Sequence, residues 1–279
     1  MALSSSEHIC FIGAGSMAEA IIRGLIERKT AAPTQITVIN RSNRERLAVL
    51  NERYGVVTPT AEKDKRAAMQ SATVLVLAMK PTDAATVLTD ASTLVHEQQL
   101  VVSVIAGLSV HTIDRLLQEK VPIVRTMPNT SSTIGEGVTG IHFSSRVSHD
   151  QQQTVLAMFR SIGMTATVDE AQLDTITGVS GSGPAYIYYM MEAMIEAAVE
   201  KGFSTETAQA IVMQTVLGAA KMVKQSGENP ASLRQKVTSP NGTTEAAIQL
   251  MTEQNFSRIV NQAINRSSER AAEIGRSLE

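Results

Sequence analysis

The stretch FIGAGSMAEAII, residues 11–22, joins a short apolar run to a helical pattern through a glycine-rich turn. Gly13, Gly15 and Ala18 have the G-x-G-x-x-G/A spacing. In that spacing the first glycine permits a tight turn, the second lets a pyrophosphate approach the backbone, and the small third residue lets the helix pack on the strand. A plain tight turn is the alternative, but the strand-to-helix context favours dinucleotide binding. The predicted cofactor contacts here are Gly13, Ala14, Gly15, Ser16 and Met17, with the last two amides facing the phosphates at the helix N-terminus.

Short apolar runs alternate with longer helical patterns from residue 8 to about residue 169. Such runs are typical of strands buried on both faces, and their alternation with helices predicts a parallel, doubly wound sheet of the Rossmann type. The predicted strands are 8–13, 35–40, 73–78, 100–105 and 122–127, with 137–143 and 164–169 extending the sheet. The predicted helices between them are 16–29, 42–53, 83–94, 109–118 and one near 148–160.

The texture changes after about residue 170, where β-branched runs disappear and Ala, Met, Glu and Gln dominate. This composition predicts an all-helical region, with helices at 184–201, 205–225, 230–236, 243–253 and 256–275. We therefore expect two domains: a Rossmann domain of residues 1–168 that binds NAD(P), and a helical substrate and dimerisation domain of residues 169–279.

The predicted helix that contains residues 185–199 is apolar on almost every side, and only Glu192 and Glu196 interrupt it. A helix without a polar face has to be buried on most sides. We interpret the two glutamates as a narrow solvated stripe rather than a metal or acid site. The sequence thus predicts a homodimer and leaves a larger homo-oligomer open.

Composition excludes several classes of function. Net charge is −2 at pH 7, no run of five like charges occurs, and no 18-residue apolar stretch is present, so neither nucleic acid nor a membrane is an expected partner. The N-terminus lacks the pattern of an export signal, which favours a cytoplasmic location. Cys10 lies within an apolar strand pattern and is expected to be a buried thiol, and no cluster of ligand residues predicts a metal.

The end of the second predicted strand reads VINRSNRERL, residues 38–47. An acidic residue there would hold the ribose 2′-hydroxyl of NAD. Asn40, Arg41 and Ser42 offer donors and a cation instead, so the expected cofactor is NADPH, with NADH as the alternative. A solvated loop charge is the other interpretation of Arg41.

Two further loops follow predicted strands and should lie at the same edge of the sheet, where ligands bind to such folds. They are AMKP, which is Ala78, Met79, Lys80 and Pro81, and the segment that contains Ala106 and Gly107. We assign both loops to cofactor binding, with Lys80 limited to positioning.

The helical region has two candidate substrate motifs, SGSGPAY at 180–186 and TSPNGTTEAA at 238–247. Each places Gly, Ser or Thr before a predicted helix, and the free amides of a helix N-terminus can bind a small carboxylate. Ser182 and Gly183 are the candidates in the first motif. In the second, the competing interpretation is that Thr243 or Thr244 is only an N-cap.

Neither motif contains a histidine. Reduction of a ketone requires a strong proton donor for the nascent alkoxide. An imine nitrogen is protonated far more readily, so a single hydroxyl donor can suffice. The motifs therefore fit reduction of a C=N bond better than reduction of a C=O bond.

The motifs GAGSMAEAI, AMKP, SVIAGLS, RTMPNT, GSGPAY and VTSPNGTTEAAI occur in this order along the whole chain, and the chain resembles the pyrroline-5-carboxylate reductases. The resemblance implies a Rossmann domain, an interlocking helical dimerisation domain and NAD(P)H-dependent reduction of a cyclic imino acid. It also implies that Thr244 lies near the imine nitrogen, and that Ser239, Gly242 and Thr243 belong to the loop that receives the substrate carboxylate.

The chain departs from that family at two places. Asn241 stands where relatives often have a glycine, and the turn should survive because Asn tolerates positive φ. The segment EKDKRAA, residues 62–68, stands where relatives often have an Asn beside the adenosine.

Two other functions stay open from the sequence. A β-hydroxyacid dehydrogenase would share the layout of a Rossmann domain followed by a helical domain. Members of that family use a Lys and an Asn on the first long helix of the helical domain, and residues 184–199 contain neither. A non-catalytic NADP-binding regulator is the second alternative, against which the intact Thr244 loop argues.

Overall fold

The computed structural model describes residues 3–118 and 120–278. Its sheet has seven strands in the order β2-β1-β3-β4-β5-β6-β7. The strands are β1 Ile9–Ile12, β2 Ile36–Ile39, β3 Val74–Leu77, β4 Leu100–Ser103, β5 Ile123–Pro128, β6 Gly137–Phe143 and β7 Gly163–Thr167. This is the predicted doubly wound sheet, and each predicted strand is present.

One pair of strands is not parallel. β6 runs antiparallel to β5, with Thr126 opposite Ile141, whereas the other neighbours are parallel. A parallel return requires a crossover of a dozen or more residues. Only residues 129–136, with a short 3₁₀ helix at Thr130–Ile134, connect β5 to β6, so the chain has to reverse.

The helices are α1 Ser16–Glu27, α2 Arg44–Tyr54, α3 Glu62–Ser71, α4 Pro81–Ala91, α5 Val110–Leu116, α6 His149–Arg160, α7 Gln172–Ile176, α8 Gly183–Glu200, α9 Thr205–Ser226, α10 Pro230–Lys236, α11 Thr243–Glu253 and α12 Phe256–Arg276. Both faces of the sheet are covered. Phe11 packs with α1 and α6 residues in one apolar cluster, and its neighbour Cys10 lies in the opposite cluster with Leu75 and Leu88, because successive strand side chains point to opposite faces.

Two helices do not appear among the predicted elements. α3 begins with Glu-Lys-Asp-Lys-Arg and buries only Met69, so its sequence has no apolar period from which a helix can be recognised. α7 is a five-residue helix that continues into a π-helical turn at Thr177–Gly181.

The chain divides into two compact units. The sheet unit comprises the residues up to Gly181 together with those from Arg266 onward, and the helical unit comprises Ser182–Asn265. The last part of α12 thus belongs to the sheet unit, and the first break falls after the predicted limit of 168. That the helical region binds the substrate stays a prediction.

Cys10 is fully buried, and burial raises the pKa of its thiol to about 12. A thiol in that state is not a nucleophile at neutral pH, which confirms the buried interpretation. Within the described residues, no helix is long and apolar enough to cross a membrane.

Candidate active site

The glycine turn between β1 and α1 is closed by backbone contacts. Gly13 has φ of +115°, and a Cβ atom there would lie 2.4 Å from the carbonyl oxygen of Ala78. Its amide donates to the Ile39 carbonyl at 2.9 Å. The backbone conformation and the close approach of Ala78 therefore both require glycine at position 13.

Gly15 has a different role from Gly13. Its φ is −74°, and the nearest atom to a Cβ built there is Ala78 O at 4.0 Å. Gly15 and Ser16 are exposed, and Gly15 caps α1 without any side-chain hydrogen bond. The first amides of α1 thus meet open space, as an incoming phosphate requires.

A network of charged side chains braces this turn. Arg46 of α2 donates from Nε to the Ala14 carbonyl at 2.9 Å and also pairs with Glu19 of α1. Glu19 additionally accepts from Arg53 and Tyr54, each at 2.9 Å. Burial raises the pKa of Glu19, but the hydrogen bonds from Arg46 and Tyr54 and the charges of the two arginines outweigh it, so the pKa lies below its usual value. The network links α1 to α2, and nothing in the spacing of these residues indicates it.

A cavity of about 260 Å³ lies at the end of β2. Its lining consists of Asn40, Arg41, Ser42, Arg44, Leu47, Thr60 and Lys65. The sequence predicted Asn40, Arg41 and Ser42. It did not predict Arg44, Thr60 or Lys65, and the last two come from a different part of the chain. Cations and hydroxyls line this cavity and no carboxylate does, which suits the 2′-phosphate of NADPH.

Arg41 is not enclosed by this cavity. Its side chain is 85% exposed, and its guanidinium lies 3.5 Å from the carboxylate of Asp83. Asn40 uses its side-chain oxygen to accept from the amides of Ser42 and Asn43, at 3.2 and 3.3 Å. That contact shapes the loop on which Arg41 stands.

The two other predicted cofactor loops follow β3 and β4, which neighbour β1 in the sheet. Lys80 is exposed and forms the N-cap of α4 through its backbone alone. Gly107 has φ of +79°, and a Cβ there would lie 3.0 Å from the amide nitrogen of Gly275. The C-terminal helix therefore dictates glycine at 107, a reason invisible in the local sequence.

The loop before α11 has the geometry that the sequence suggests. Asn241 has φ of +60°, which confirms that it tolerates the left-handed turn. Its amide donates to Glu245 Oε2 at 2.6 Å, and the amide of Gly242 donates to Ser239 O at 3.0 Å. A Cβ on Gly242 would lie 2.9 Å from Ser239 O, so the fold of the loop requires glycine there.

Thr243 and Thr244 are the first two residues of α11. The N-cap is Gly242, and no side chain caps the helix; the alternative that either threonine is the N-cap is wrong. In the part of the chain that the structure describes, the half-buried Thr244 hydroxyl has no hydrogen-bond partner. The loop thus presents a hydroxyl and uncapped helix amides side by side.

The other substrate motif differs from expectation. Residues 177–181 form a π-helical turn that leads through Ser182 directly into α8, so Ser182 and Gly183 do not form a loop ahead of an isolated helix. Asn129 donates to the carbonyl of Ser180 at 3.0 Å and accepts from the amide of Val138 at 3.0 Å, which fixes this turn against β6.

These features place the chain among the dinucleotide-dependent oxidoreductases that join a Rossmann domain to a helical one. Residues 8–107 match the family model described as NADP oxidoreductase, coenzyme F420-dependent, and residues 170–274 match pyrroline-5-carboxylate reductase dimerisation. Pyrroline-5-carboxylate reductase 1 of Bacillus spizizenii is 41% identical over 97% of this chain and 90% of that protein. The chain belongs to the pyrroline-5-carboxylate reductase family.

Solved structures agree with this membership. A pyrroline-5-carboxylate reductase from Coxiella burnetii superposes with a TM-score of 0.89 at 38% identity, covering 96% of this chain and 98% of that one. The Plasmodium falciparum pyrroline carboxylate reductase, whose structure has NADP bound, superposes with a TM-score of 0.84 at 25% identity, again over 96% and 98%.

Proposed function

We propose that this chain reduces the cyclic imine 1-pyrroline-5-carboxylate to L-proline, the last step of proline biosynthesis, with NADPH as the preferred hydride donor and NADH as a weaker one. Family membership supports the reaction. The observation that carries the residue assignment is the loop 238–245, where a free hydroxyl stands beside uncapped amides.

The first step in the proposed mechanism is recognition of the carboxylate. The amides of Thr243 and Thr244 are the uncapped donors of α11, and the Ser239–Gly242 turn orients them. The positive end of an 11-residue helix favours an anion at this point. No arginine is needed to hold the substrate.

Thr244 is the proposed catalytic residue. Its hydroxyl donates a hydrogen bond to the imine nitrogen and passes its proton to that nitrogen as hydride adds to the C=N carbon, and solvent water then returns a proton to the hydroxyl. Bound NADPH supplies the hydride. The Rossmann residues hold its pyrophosphate at Gly15 and Ser16, while Lys80, Ala106 and Gly107 remain proposed contacts at the edge of the sheet.

Assembly is part of the proposal. The helical domain, residues 169–279 by our prediction, provides substrate binding and a homodimer interface, and it leaves open a larger homo-oligomer. The match to a dimerisation model supports the dimer. We place the enzyme in the cytoplasm, which fits a single cysteine held as a buried free thiol.

An assay of NADPH oxidation with two substrates tests the function. Pyrroline-5-carboxylate should be consumed and L-proline formed. The matched substrate 1-pyrroline lacks the carboxylate, and its KM should be at least about 10-fold higher, since it loses a charge-assisted contact. Binding of NADPH without turnover of either imine would instead identify a non-catalytic NADP-binding regulator.

A further inference from the structure

We propose that Lys65 on α3, rather than Arg41, is the main cation for the 2′-phosphate of NADPH and therefore determines the preference for NADPH over NADH. This inference rests on the proposed use of NADPH. It concerns a residue from a helix that the sequence pattern does not reveal.

The burial of Lys65 distinguishes it from its neighbours. Its side chain is 14% exposed, although the adjacent residues Asp64 and Arg66 are exposed. It lines the cavity at the end of β2 together with Arg44, Ser42 and Thr60. A lysine on a polar helix would ordinarily point to solvent, so its enclosure in this wall needs a reason.

The contacts of Lys65 leave its ammonium available. Nζ lies 3.4 Å from the carbonyl oxygen of Arg41 and 3.7 Å from Glu62 Oε2. Both distances are long, and the Glu62 side chain is 76% exposed. An ammonium has three donors, so Lys65 can keep the contact to the Arg41 loop and still donate to a phosphate.

Arg41 is the weaker candidate on electrostatic grounds. It is 85% exposed and already has Asp83 at 3.5 Å. Water and salt screen a charge in that position, whereas an enclosed charge interacts more strongly with its partner. The enclosed cation should therefore contribute more to discrimination between a 2′-phosphate and a 2′-hydroxyl.

The start of α2 adds to the positive character of this wall. Arg44 is the first residue of α2 and lines the cavity. Asn43 caps the helix by accepting from the Arg46 amide at 2.9 Å. The N-terminus of this 11-residue helix favours an anion, and Lys65 of α3 adds a second positive charge to the cavity.

The test measures dissociation constants for NADPH and NADH by fluorescence titration at one ionic strength. The variants are Lys65→Met, Lys65→Arg and the matched control Lys63→Met, which removes the same charge from an exposed position of α3 outside the cavity. Lys65→Met should raise the Kd for NADPH about 10- to 100-fold, the range for loss of a hydrogen bond to a charged group. The Kd for NADH should change less than about 2-fold, and Lys63→Met should leave both nearly unchanged.

The controls separate this inference from others. Lys65→Arg should keep the preference, and Lys65→Gln replaces the Met variant if that protein does not fold. An equal rise of both Kd values, or an unchanged Kd for NADPH, would overturn the role of Lys65 while leaving the proposed reaction intact. A larger loss of preference in Arg41→Ala than in Lys65→Met would also overturn it. Equal affinity of the wild type for both nucleotides would refute the proposed NADPH preference itself.

Discussion

The sheet unit and the helical unit bury their apolar residues to very different extents. In the sheet unit, large side chains such as Phe11, Ile21 and Phe159 are completely buried. In the helical unit, all of whose residues the structure describes, Ala208 and Val212 are the only buried hydrophobic residues. Tyr189 is 76% exposed and Met213 is 59% exposed.

The contrast shows that one unit has a complete core and the other does not. Exposed apolar side chains on α8, α9, α11 and α12 are far more than scattered surface residues, and such a surface indicates an interaction site. The helical unit is therefore expected to gain its core from a second copy of the chain.

A charge placed on the exposed apolar surface of the helical unit should weaken the dimer most. Met213→Asp should raise the dimer dissociation constant by about 10²- to 10³-fold or more, because a buried unpaired charge costs about 3–5 kcal/mol. The matched control is Val49→Asp on α2, an exposed apolar residue of the sheet unit. Sedimentation of both variants at several concentrations measures the difference. A dimer equally weakened by Val49→Asp would show that the interface is not specific to the helical unit.

Two glycines of one turn provide the next test. Gly13→Ala places a Cβ 2.4 Å from Ala78 O at positive φ, so we expect a loss of about 2–4 kcal/mol in the free energy of unfolding. Gly15→Ala meets no atom nearer than 4.0 Å and should leave stability unchanged while weakening NADPH binding. Denaturant melts and nucleotide titrations check both. Equal stability of the two variants would contradict the distinct roles assigned to these glycines.

Arg41→Ala should narrow the ratio of the two nucleotide dissociation constants, because Arg41 stands where NAD enzymes have an acid. The effect should be only about 2- to 5-fold, the size expected for an exposed charge. Titration with NADPH and NADH gives the ratio. A ratio that does not change would remove Arg41 from the 2′-phosphate site.

The smallest effect concerns the pH dependence of the sheet unit. The folded state lowers the pKa of Glu19, so its ion pairs stabilise the protein above the pKa of the unfolded chain, and this stabilisation is lost as pH falls through the folded pKa. The free energy of unfolding of the wild type should exceed that of Glu19→Gln by at most about 1 kcal/mol at pH 7. The two free energies should converge in acid. Thermal melts of both proteins from pH 7 into acid measure this difference. A difference in stability that stays the same at every pH would show that ionisation of Glu19 is not the cause.

Much of the fold could be predicted from the sequence because strands buried on both faces leave contiguous apolar runs. The bounds of β6, α10 and α11 agree with the prediction to the residue. α3 was missed because it is a polar helix that buries little more than Met69. The antiparallel β6 was missed because direction depends on connection length rather than on local pattern.

The candidate site was predictable where a motif places neighbours together. The glycine turn and the 238–245 loop are such cases, since their geometry depends on adjacent residues. Lys65 and the Arg46–Glu19 pair were not predictable, because each joins segments about 20 or more residues apart. The requirement for Gly107 comes from Gly275, at the far end of the chain.

In the proposed mechanism Thr244 acts on the substrate and is not a structural cap. The measurement is the kcat of Thr244→Ala with pyrroline-5-carboxylate, together with its melting temperature and the kcat of Thr244→Ser. We expect the Ala variant to have a kcat lower by about 10²-fold, the lower part of the range for a positioned proton donor. We also expect an unchanged melting temperature in the Ala variant, because Gly242 is the N-cap, and near-normal turnover in the Ser variant. Normal turnover of Thr244→Ala with a reduced melting temperature would show that Thr244 stabilises the helix and does not act on the substrate.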